Sequence, residues 1–480
     1  MQEQHLTEPD PRRWIGLFAA LAAPFLGVLD FFIVNLALPQ IHDRLGATFA
    51  QQELVIALYG LVYAVFVVTG GRLGDTHGRK RMFFIGLSGF IGASLLCGLA
   101  PSPWFLLGAR VVQGAAGALA FPQVLALVQV NFPEHERPKA LAYFGLAVGL
   151  ASMLGQLLGG LFIGLDLFGL GWRTLFLINL PIGGAALWIA SRTLHEARSH
   201  HPPKLDMSGV MIATLALSLL LVPLVEGHEH DWPTWAIVML ALSAPAFVWF
   251  VRHEKRTRSR GGDPLIDPAL FELATFRRGL AMIGSYFVGG GSMFFVLSIY
   301  EQKGLGKDAM SAALTFTGFA GAVLVSSMTA SRLVSLHPSR FLFGGFACLC
   351  TGLAIIVIGL ATSGDGDARV AVTCGLTLYG LGQGCVSPVM YSTVLSGVPL
   401  RSAGAASGVL ATCQQVAAVM GLPVIGLVFM TVLAGRSGGS AYAHAAACAL
   451  TVNLATMLLA AFLALRLPRT TAVNGSGIET

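Results

Sequence analysis

Apolar residues run through the chain in long, nearly uninterrupted stretches that are separated by short polar segments. A helix needs about 20 consecutive apolar residues to cross a bilayer, and a search with windows of that length locates such helices. The search predicts fourteen spans, at residues 14–38, 52–70, 82–100, 104–130, 139–165, 173–191, 207–225, 233–251, 279–300, 310–331, 341–362, 370–396, 403–430 and 443–465. The sequence therefore predicts an all-α polytopic membrane protein with both termini on one side.

The charge distribution indicates which side that is. With the N-terminus placed in the cytosol, 23 of the 30 Lys and Arg residues fall in cytosolic segments and six in outer ones. This bias follows the positive-inside rule. It predicts a bacterial inner-membrane protein with both termini cytoplasmic. The net charge of +6 then reflects insertion and contact with membrane lipid, and it does not indicate nucleic-acid binding.

The spans group into two sets of six with two additional spans between them. Two loops at matching places, 71–80 and 331–340, are faintly similar, as expected of duplicated halves that rock about a central site. The predicted segments are a cytosolic N-terminus (1–13), an N-terminal six-helix bundle (14–192), a linker with two inserted helices (193–252), a basic cytosolic loop (253–278), a C-terminal six-helix bundle (279–466) and a cytosolic tail (467–480). A short interfacial helix is expected near 263–271.

The segment between the second and third spans combines glycines, four cations and one carboxylate. It reads Gly71-Arg72-Leu73-Gly74-Asp75-Thr76-His77-Gly78-Arg79-Lys80-Arg81. This hairpin closely resembles the G-x-L-x-D-x-x-G-R-[RK] loop of the major facilitator superfamily, although Thr76 stands where many members carry a base. The resemblance implies the major facilitator fold and a cytosolic gate formed by Gly71, Asp75, Gly78, Arg79 and Lys80. The alternative is that Asp75 is a solvated loop acid that neutralises its basic neighbours.

One carboxylate, Asp30, lies well inside the first span, about 13 Å from its outer boundary. A charge at that depth is costly and usually faces a cavity or a partner. The stretch Leu29-Asp30-Phe31-Phe32-Ile33-Val34-Asn35-Leu36-Ala37-Leu38-Pro39 resembles the L-D-x-T-[VI]-V-N-x-A-L-P pattern of the fourteen-helix drug:proton antiporters of the EmrB/QacA type, with Phe32 in place of Thr. The resemblance implies proton coupling at Asp30; a structural ion pair or an acid near the interface is the alternative.

A second buried charge, Arg110, lies about 9 Å inside the fourth span, at a depth similar to that of Asp30. Arg110 and Gln113 match the R-x-x-Q-G pattern of the superfamily, which the resemblance links to proton handling. We expect Arg110 to pair with Asp30 directly, or through Gln113 or water. In the alternative interpretation, Arg110 extends outward to the membrane surface.

The fifth span contains closely spaced small residues at Gly155, Gly159 and Gly160, which allow helix backbones to approach each other. The segment resembles the antiporter signature G-x-x-x-G-P-x-x-G-G. However, Ala151 and Gln156 replace its first Gly and its Pro. A close-packing helix and an amide on a cavity wall at Gln156 both remain open.

The predicted cavity is poor in charge, and its candidate substrate contacts are the amides Asn35, Gln113, Gln156 and Gln383. Such a lining suits small lipophilic compounds, cationic ones included. The chain has no G-x-x-x-x-G-K-[ST] nucleotide motif and no hydrolase or zinc-protease motif. We therefore expect neither an enzyme nor a cofactor or metal, and a proton gradient as the energy source.

The predicted function is proton-coupled export of drug-like compounds by alternating access, carried out by a monomer with protons and membrane lipid as its other partners. One alternative is a dedicated exporter of a single antibiotic or metabolite. Another, from a different class, is a transport-inactive membrane sensor or assembly partner. Glu226 and Glu301, at the outer ends of two spans, are expected to be interface residues rather than coupling groups. The seven cysteines, all within spans, are expected to be apolar fillers.

Overall fold

A computed structural model describes residues 12–133, 136–196, 206–333, 338–362, 368–395, 398 and 403–467. Within these ranges the regular secondary structure is helical. The α-helices are α1 (Arg13–Leu45), α2 (Phe49–His77), α3 (Arg79–Gly98), α4 (Pro103–Asn131), α5 (Arg137–Leu165), α6 (Thr174–Leu177), α7 (Asn179–Thr193), α8 (Met207–Glu229), α9 (Thr234–Ser259), α10 (Ala274–Ile299), α11 (Ala309–Thr315), α12 (Thr317–Leu333), α13 (Pro338–Thr362), α14 (Arg369–Leu395), α15 (Ala403–Leu433) and α16 (Gly439–Leu465).

Thirteen helical segments in the described part are long and apolar enough to cross a membrane. Two of them are composite, since α6 and α7 share the segment Gly171–Thr193, and α11 and α12 share Ala309–Ala330. The remaining predicted span, 139–165, coincides with α5. The prediction of an all-α protein with about fourteen spans is confirmed.

The helices form two compact units. The first contains the described residues up to Leu220 together with Val238–Leu265, and the second contains Leu221–Ile237 and the described residues from Ile266 onward. The first unit therefore includes α1–α7, and the second includes α10–α16. Each of the inserted helices α8 and α9 contributes residues to both units. The finer segment boundaries proposed from the sequence remain predictions.

Local capping signals set several helix ends in the first unit. α1 ends at Gly46, whose positive φ of 69° lets its N–H bond to the His42 carbonyl at 2.9 Å. α2 then begins with a capping box in which Thr48 and Gln51 satisfy each other's backbone N–H. The short polar segment between these two apolar runs thus contains the residues that cap the end of α1 and the start of α2.

The segment 71–81, expected to be a glycine-rich hairpin, is helical except at one residue. α2 continues to His77 and α3 begins at Arg79, so that only Gly78 interrupts them, with φ 107° and ψ 130°. The segment contains no proline, and the Thr76 hydroxyl bonds back to the Arg72 carbonyl at 3.0 Å. The hydropathy search located the end of the apolar run near residue 70, whereas α2 itself extends beyond that run to His77.

The predicted basic loop 253–278 is also partly helical. α9 continues to Ser259, because Glu, Lys and Arg are good helix formers, and it ends before Gly261, which has a φ of 73°. Within the stretch expected to be an interfacial helix, a single short 3₁₀ segment forms at Pro268–Glu272.

The inserted helices are joined at one end by a buried carboxylate. Asp206, which precedes α8, accepts hydrogen bonds from the Gly209 N–H at 2.8 Å and from His253 Nε2 on α9 at 3.1 Å. Burial raises the pKa of Asp206, but the hydrogen bonds from Gly209, His253 and Ser208 outweigh burial and leave that pKa below its ordinary value. The start of α8 is thereby fastened to the end of α9.

The sixth span lacks one helical hydrogen bond. A 3₁₀ turn at Gly171–Arg173 leads into the four-residue α6, and α7 follows at Asn179 with helical backbone angles at Ile178 between them. Pro181 accounts for the missing bond, since it has no N–H to donate to the carbonyl of Leu177, four residues earlier. Asn179, at the start of α7, is fully buried.

Candidate functional site

Asp30 on α1 and Arg110 on α4 form an ion pair in the interior of the first unit. Both side chains are 0% exposed, and Arg110 Nη1 donates to Asp30 Oδ2. Burying two charges is costly unless they are paired and hydrogen-bonded, so each charge here depends on the other. The direct pair is one of the arrangements expected from the sequence. The alternative of an arginine reaching the membrane surface is wrong, because Arg110 has no exposed surface.

Arg110 has further partners on α2 and on α4. Its Nε donates to the Val55 carbonyl at 2.7 Å, and its Nη1 donates to Gln113 Oε1 at 2.6 Å. Its Cζ lies 4.4 Å from the ring centroid of Tyr59 and 5.8 Å from that of Phe176, within the range of cation–π attraction. The guanidinium is therefore stabilised by carbonyls and aromatic faces in addition to the carboxylate.

Gln113 supplies the second hydrogen bond to the carboxylate. Its Nε2 donates to Asp30 Oδ1 at 3.1 Å and to Ser94 Oγ at 2.9 Å. Arg110 and Gln113 lie three residues apart on one face of α4, which places both side chains over the same part of α1. Asp30 thus accepts a hydrogen bond at each oxygen.

Ser94 and Asn179 extend this arrangement, and neither was singled out from the sequence. Asn179 Nδ2 donates to Ser94 Oγ at 3.1 Å, and Ser94 donates to the Phe90 carbonyl at 2.8 Å. Both side chains are 0% exposed. A polar residue two positions before Pro181 was the available signal for Asn179. We call Asp30, Arg110, Gln113, Ser94 and Asn179 the charge network; its residues come from α1, α3, α4 and α7.

The four amides expected to line a substrate cavity occupy different surroundings. Asn35 is 1% exposed and donates to the Phe31 carbonyl of its own helix at 2.7 Å. Gln113 belongs to the charge network, and Gln383 is half-buried on α14 of the second unit. The side chain of Gln156 lies outside the described part. A role in substrate binding stays a prediction for these residues.

The predicted gate residues bind the junction of α2 and α3 to neighbouring helices. Asp75 Oδ1 accepts from Arg79 Nη2 at 2.9 Å, and Arg79 Nη1 donates to the Ala126 carbonyl of α4 at 3.1 Å. Lys80 Nζ donates to the Leu194 carbonyl just beyond the end of α7 at 2.5 Å, where a cation is favoured. Gly71 lies on α2, and a Cβ there would make ordinary contact with Pro122.

Glu196 is a member of this junction that sequence reasoning missed. Its carboxylate accepts from the backbone N–H groups of Lys80 and Arg81, each at 3.1 Å, and so satisfies the first turn of α3. A Cβ at Gly78 would lie 2.5 Å from the Glu196 carboxyl carbon, and the φ of 107° independently favours glycine there.

The glycines of α5 face the α1 segment that carries Asp30. A Cβ at Gly155 would lie 2.8 Å from Phe32 Cβ, and a Cβ at Gly159 would lie 2.8 Å from Leu36 Cδ1. Gly160 is buried. Close packing of α5 on α1 therefore depends on the absence of side chains at Gly155 and Gly159.

Glu301 in the second unit is buried within the protein; its expected position at the membrane interface stays a prediction. It is 0% exposed and pairs with Lys307 through Nζ and Oε2, 2.5 Å apart, at a π-helical turn. Glu226 Oε2 on α8 lies 3.9 Å from His230 Nδ1. All seven cysteines are free thiols.

The Major Facilitator Superfamily model matches residues 20–422. The chain is 38% identical to the probable actinorhodin transporter of Streptomyces coelicolor over 90% of this chain and 75% of that protein. It is 30% identical to the multidrug resistance protein Stp of Mycobacterium tuberculosis (strain CDC 1551) over 86% and 75% of the two chains. The crystal structure of a D-xylose–proton symporter superposes with a TM-score of 0.67 at 14% identity, covering 96% of this chain and 99% of that chain, which shows a common fold.

The two bundles of membrane-spanning helices, the buried pair Asp30–Arg110 and the match over residues 20–422 lead to one assignment. The chain belongs to the Major Facilitator Superfamily and is a multi-span membrane transporter, not an enzyme.

Proposed function

We propose that the protein exports small lipophilic, drug-like compounds in exchange for protons by alternating access. The observation that carries this proposal is the fully buried ion pair of Asp30 and Arg110, with Gln113 on the second carboxylate oxygen. The relatives named for actinorhodin transport and for multidrug resistance support export as the direction.

The charge network is suited to two protonation states. With Asp30 ionised, its bond from Arg110 is charge-assisted and ties α1 to α4. With Asp30 protonated, that attraction is lost, but Arg110 keeps the Val55 carbonyl, Gln113 Oε1 and two aromatic faces. Protonation therefore weakens one helix–helix contact without leaving the guanidinium isolated. A change of this kind shifts the equilibrium between two packing arrangements of the helices that it joins, here α1 and α4.

Proton exchange supplies enough energy for this task. Each pH unit across the membrane is worth about 1.4 kcal/mol per proton, which corresponds to a tenfold concentration gradient of substrate. Exchange with one or more protons thus accounts for uphill export without a nucleotide. No cofactor is part of the proposal.

The proposal is tested in everted membrane vesicles, in which an acidic interior should drive uptake of a fluorescent lipophilic substrate. Uptake should start when the pH gradient is imposed and should stop when a protonophore collapses it. Empty-vector vesicles serve as the control. Uptake that survives the protonophore would contradict proton coupling, and the absence of gradient-dependent flux for every compound tested would favour the transport-inactive alternative.

The range of substrates is a separate question, because the relatives include one named for a single antibiotic and one named for multidrug resistance. A toxicity panel of dyes, biocides and antibiotics in an efflux-deficient host separates the two. Protection against several unrelated lipophilic compounds supports a multidrug exporter. Protection confined to one chemical class supports a dedicated exporter.

Asp75 is proposed to stabilise the closed state of the cytosolic gate. Asp75→Asn should slow transport severalfold and increase cytosolic accessibility, because Arg79 loses the ion pair that positions it against Ala126. Labelling of single cysteines placed at the cytosolic ends of α2 and α4 measures the accessibility.

Asp166→Asn is the matched control, since it also breaks an ion pair at the end of a helix, with Arg44 at 3.3 Å. That variant should label and transport like the parent. Unchanged labelling and normal transport in Asp75→Asn would make Asp75 a solvated acid without a gating role.

A further inference from the structure

Helix α9 exposes one continuous face whose character changes along its length. Trp235, Val238, Leu242 and Trp249 share this face at helical spacing, and each is 42–52% exposed. The two tryptophans are 14 residues apart, about 21 Å along the helix. Tryptophan is enriched where membrane meets water, so Trp249 marks the level at which the apolar surface ends.

Exposed cations follow Trp249 at the end of the helix and just beyond it. Arg252, Lys255 and Arg256 follow within two turns, and Arg260 lies four residues further on; all four side chains are exposed. The acid of this stretch, Glu254, is 2% exposed and lies on the opposite, packed side of the helix. We call Trp249, Arg252, Lys255, Arg256 and Arg260 the α9 basic surface. It presents positive charge directly beside the lipid-facing part of the helix.

We infer that the α9 basic surface is a binding site for the headgroups of anionic phospholipids. Charge complementarity selects this partner: clustered cations next to a membrane-spanning segment attract anionic lipid, and each adds to the affinity. On the predicted topology this end of α9 faces the cytosol. The basic surface is held in place, because Glu254 is buried against the neighbouring helices and the half-buried His253 bonds to Asp206 before α8.

The chain that leaves this surface also contacts the gate helix. Arg72 on α2 donates to the carbonyl of Asp263 at 3.0 Å and to that of Pro264 at 2.5 Å. Lipid bound at α9 is therefore a few residues from the segment that holds the end of α2. A transport rate that differs between anionic and neutral bilayers would follow from this connection, and that consequence rests on the proposed function. Lipid binding itself does not.

The test measures lipid bound to the purified full-length protein by native mass spectrometry, with phosphatidylglycerol and phosphatidylcholine added in equal amounts at low ionic strength. The triple variant Arg252→Gln, Lys255→Gln, Arg256→Gln should bind phosphatidylglycerol about a hundredfold more weakly, with phosphatidylcholine binding unchanged. The control, Lys303→Gln, Arg369→Gln, Arg436→Gln, removes the same charge from exposed positions elsewhere and should bind like the parent. Equal binding by the parent and both variants, or an equal loss in both variants, overturns the inference.

A second measurement does not require the triple variant to fold. Brominated phosphatidylglycerol should quench tryptophan fluorescence more than brominated phosphatidylcholine does. The excess quenching should disappear in Trp249→Phe and persist in Trp235→Phe. The same excess in both variants would place the anionic lipid away from the α9 basic surface.

Discussion

Replacing Asp30 with Asn should reduce proton-driven export to the level of vesicles without the protein. The amide cannot ionise near neutral pH, so the step that makes and breaks the charge-assisted bond to Arg110 is lost. Removing one partner of a buried pair also costs stability, about 3–5 kcal/mol. Arg110 nevertheless keeps the Val55 carbonyl and Gln113 as hydrogen-bond partners. We therefore expect protein that inserts but is less stable to heat.

Substrate counterflow separates coupling from folding in this variant. Counterflow exchanges labelled for unlabelled substrate without net proton movement, so Asp30→Asn should retain it while losing gradient-driven uptake. Glu301→Gln is the matched control, because Glu301 is another fully buried acid paired with a base, Lys307. It should keep proton-driven uptake.

Continued uphill export by Asp30→Asn, together with proton release on substrate addition, would make Asp30 a structural residue. Loss of uptake in Glu301→Gln alone would move the coupling group to the second unit. If neither substitution abolished uptake, Glu226 would be the next acid to examine.

Gly159→Leu should abolish transport and lower the yield of folded protein. The first added carbon would already lie 2.8 Å from Leu36 Cδ1 and 3.2 Å from Ile33 Cγ1, and the three further carbons would have to displace α1. Overpacking of this kind costs about 1–3 kcal/mol even where the neighbours adjust. Here the displaced helix carries Asp30. Transport should therefore fall more than stability does.

Gly149→Leu on the same helix provides the control, since a Cβ at Gly149 has no atom within 4 Å among the described residues. Yield, thermal unfolding and gradient-driven uptake are measured for both variants. Equal behaviour of the two, with full export, would show that the Gly159 face of α5 does not need close contact with α1.

The charged part of the site could be predicted from the sequence because a charge in an apolar run is conspicuous. Asp30 and Arg110 stood out by depth, and Gln113 by its spacing from Arg110. Ser94 and Asn179 did not, since neutral polar side chains are common in spans and acquire a role only through the neighbours that folding brings close. Glu196 was missed for the same reason: its partners are backbone groups on another helix.

Helix number was predictable, whereas helix ends were not. Windows of apolar residues report where the bilayer core stops, but α2 and α9 continue beyond it to His77 and to Ser259. Charged side chains at the membrane surface are compatible with helix, so α2 and α9 end only where a glycine with positive φ follows, at Gly78 and near Gly261.

All five residues of the charge network belong to the first unit. The energy-coupling chemistry proposed here is thus encoded within one half of the chain. Substitutions in the second unit leave every side chain of the charge network unchanged, so on this proposal they alter transport by routes other than the chemistry of Asp30.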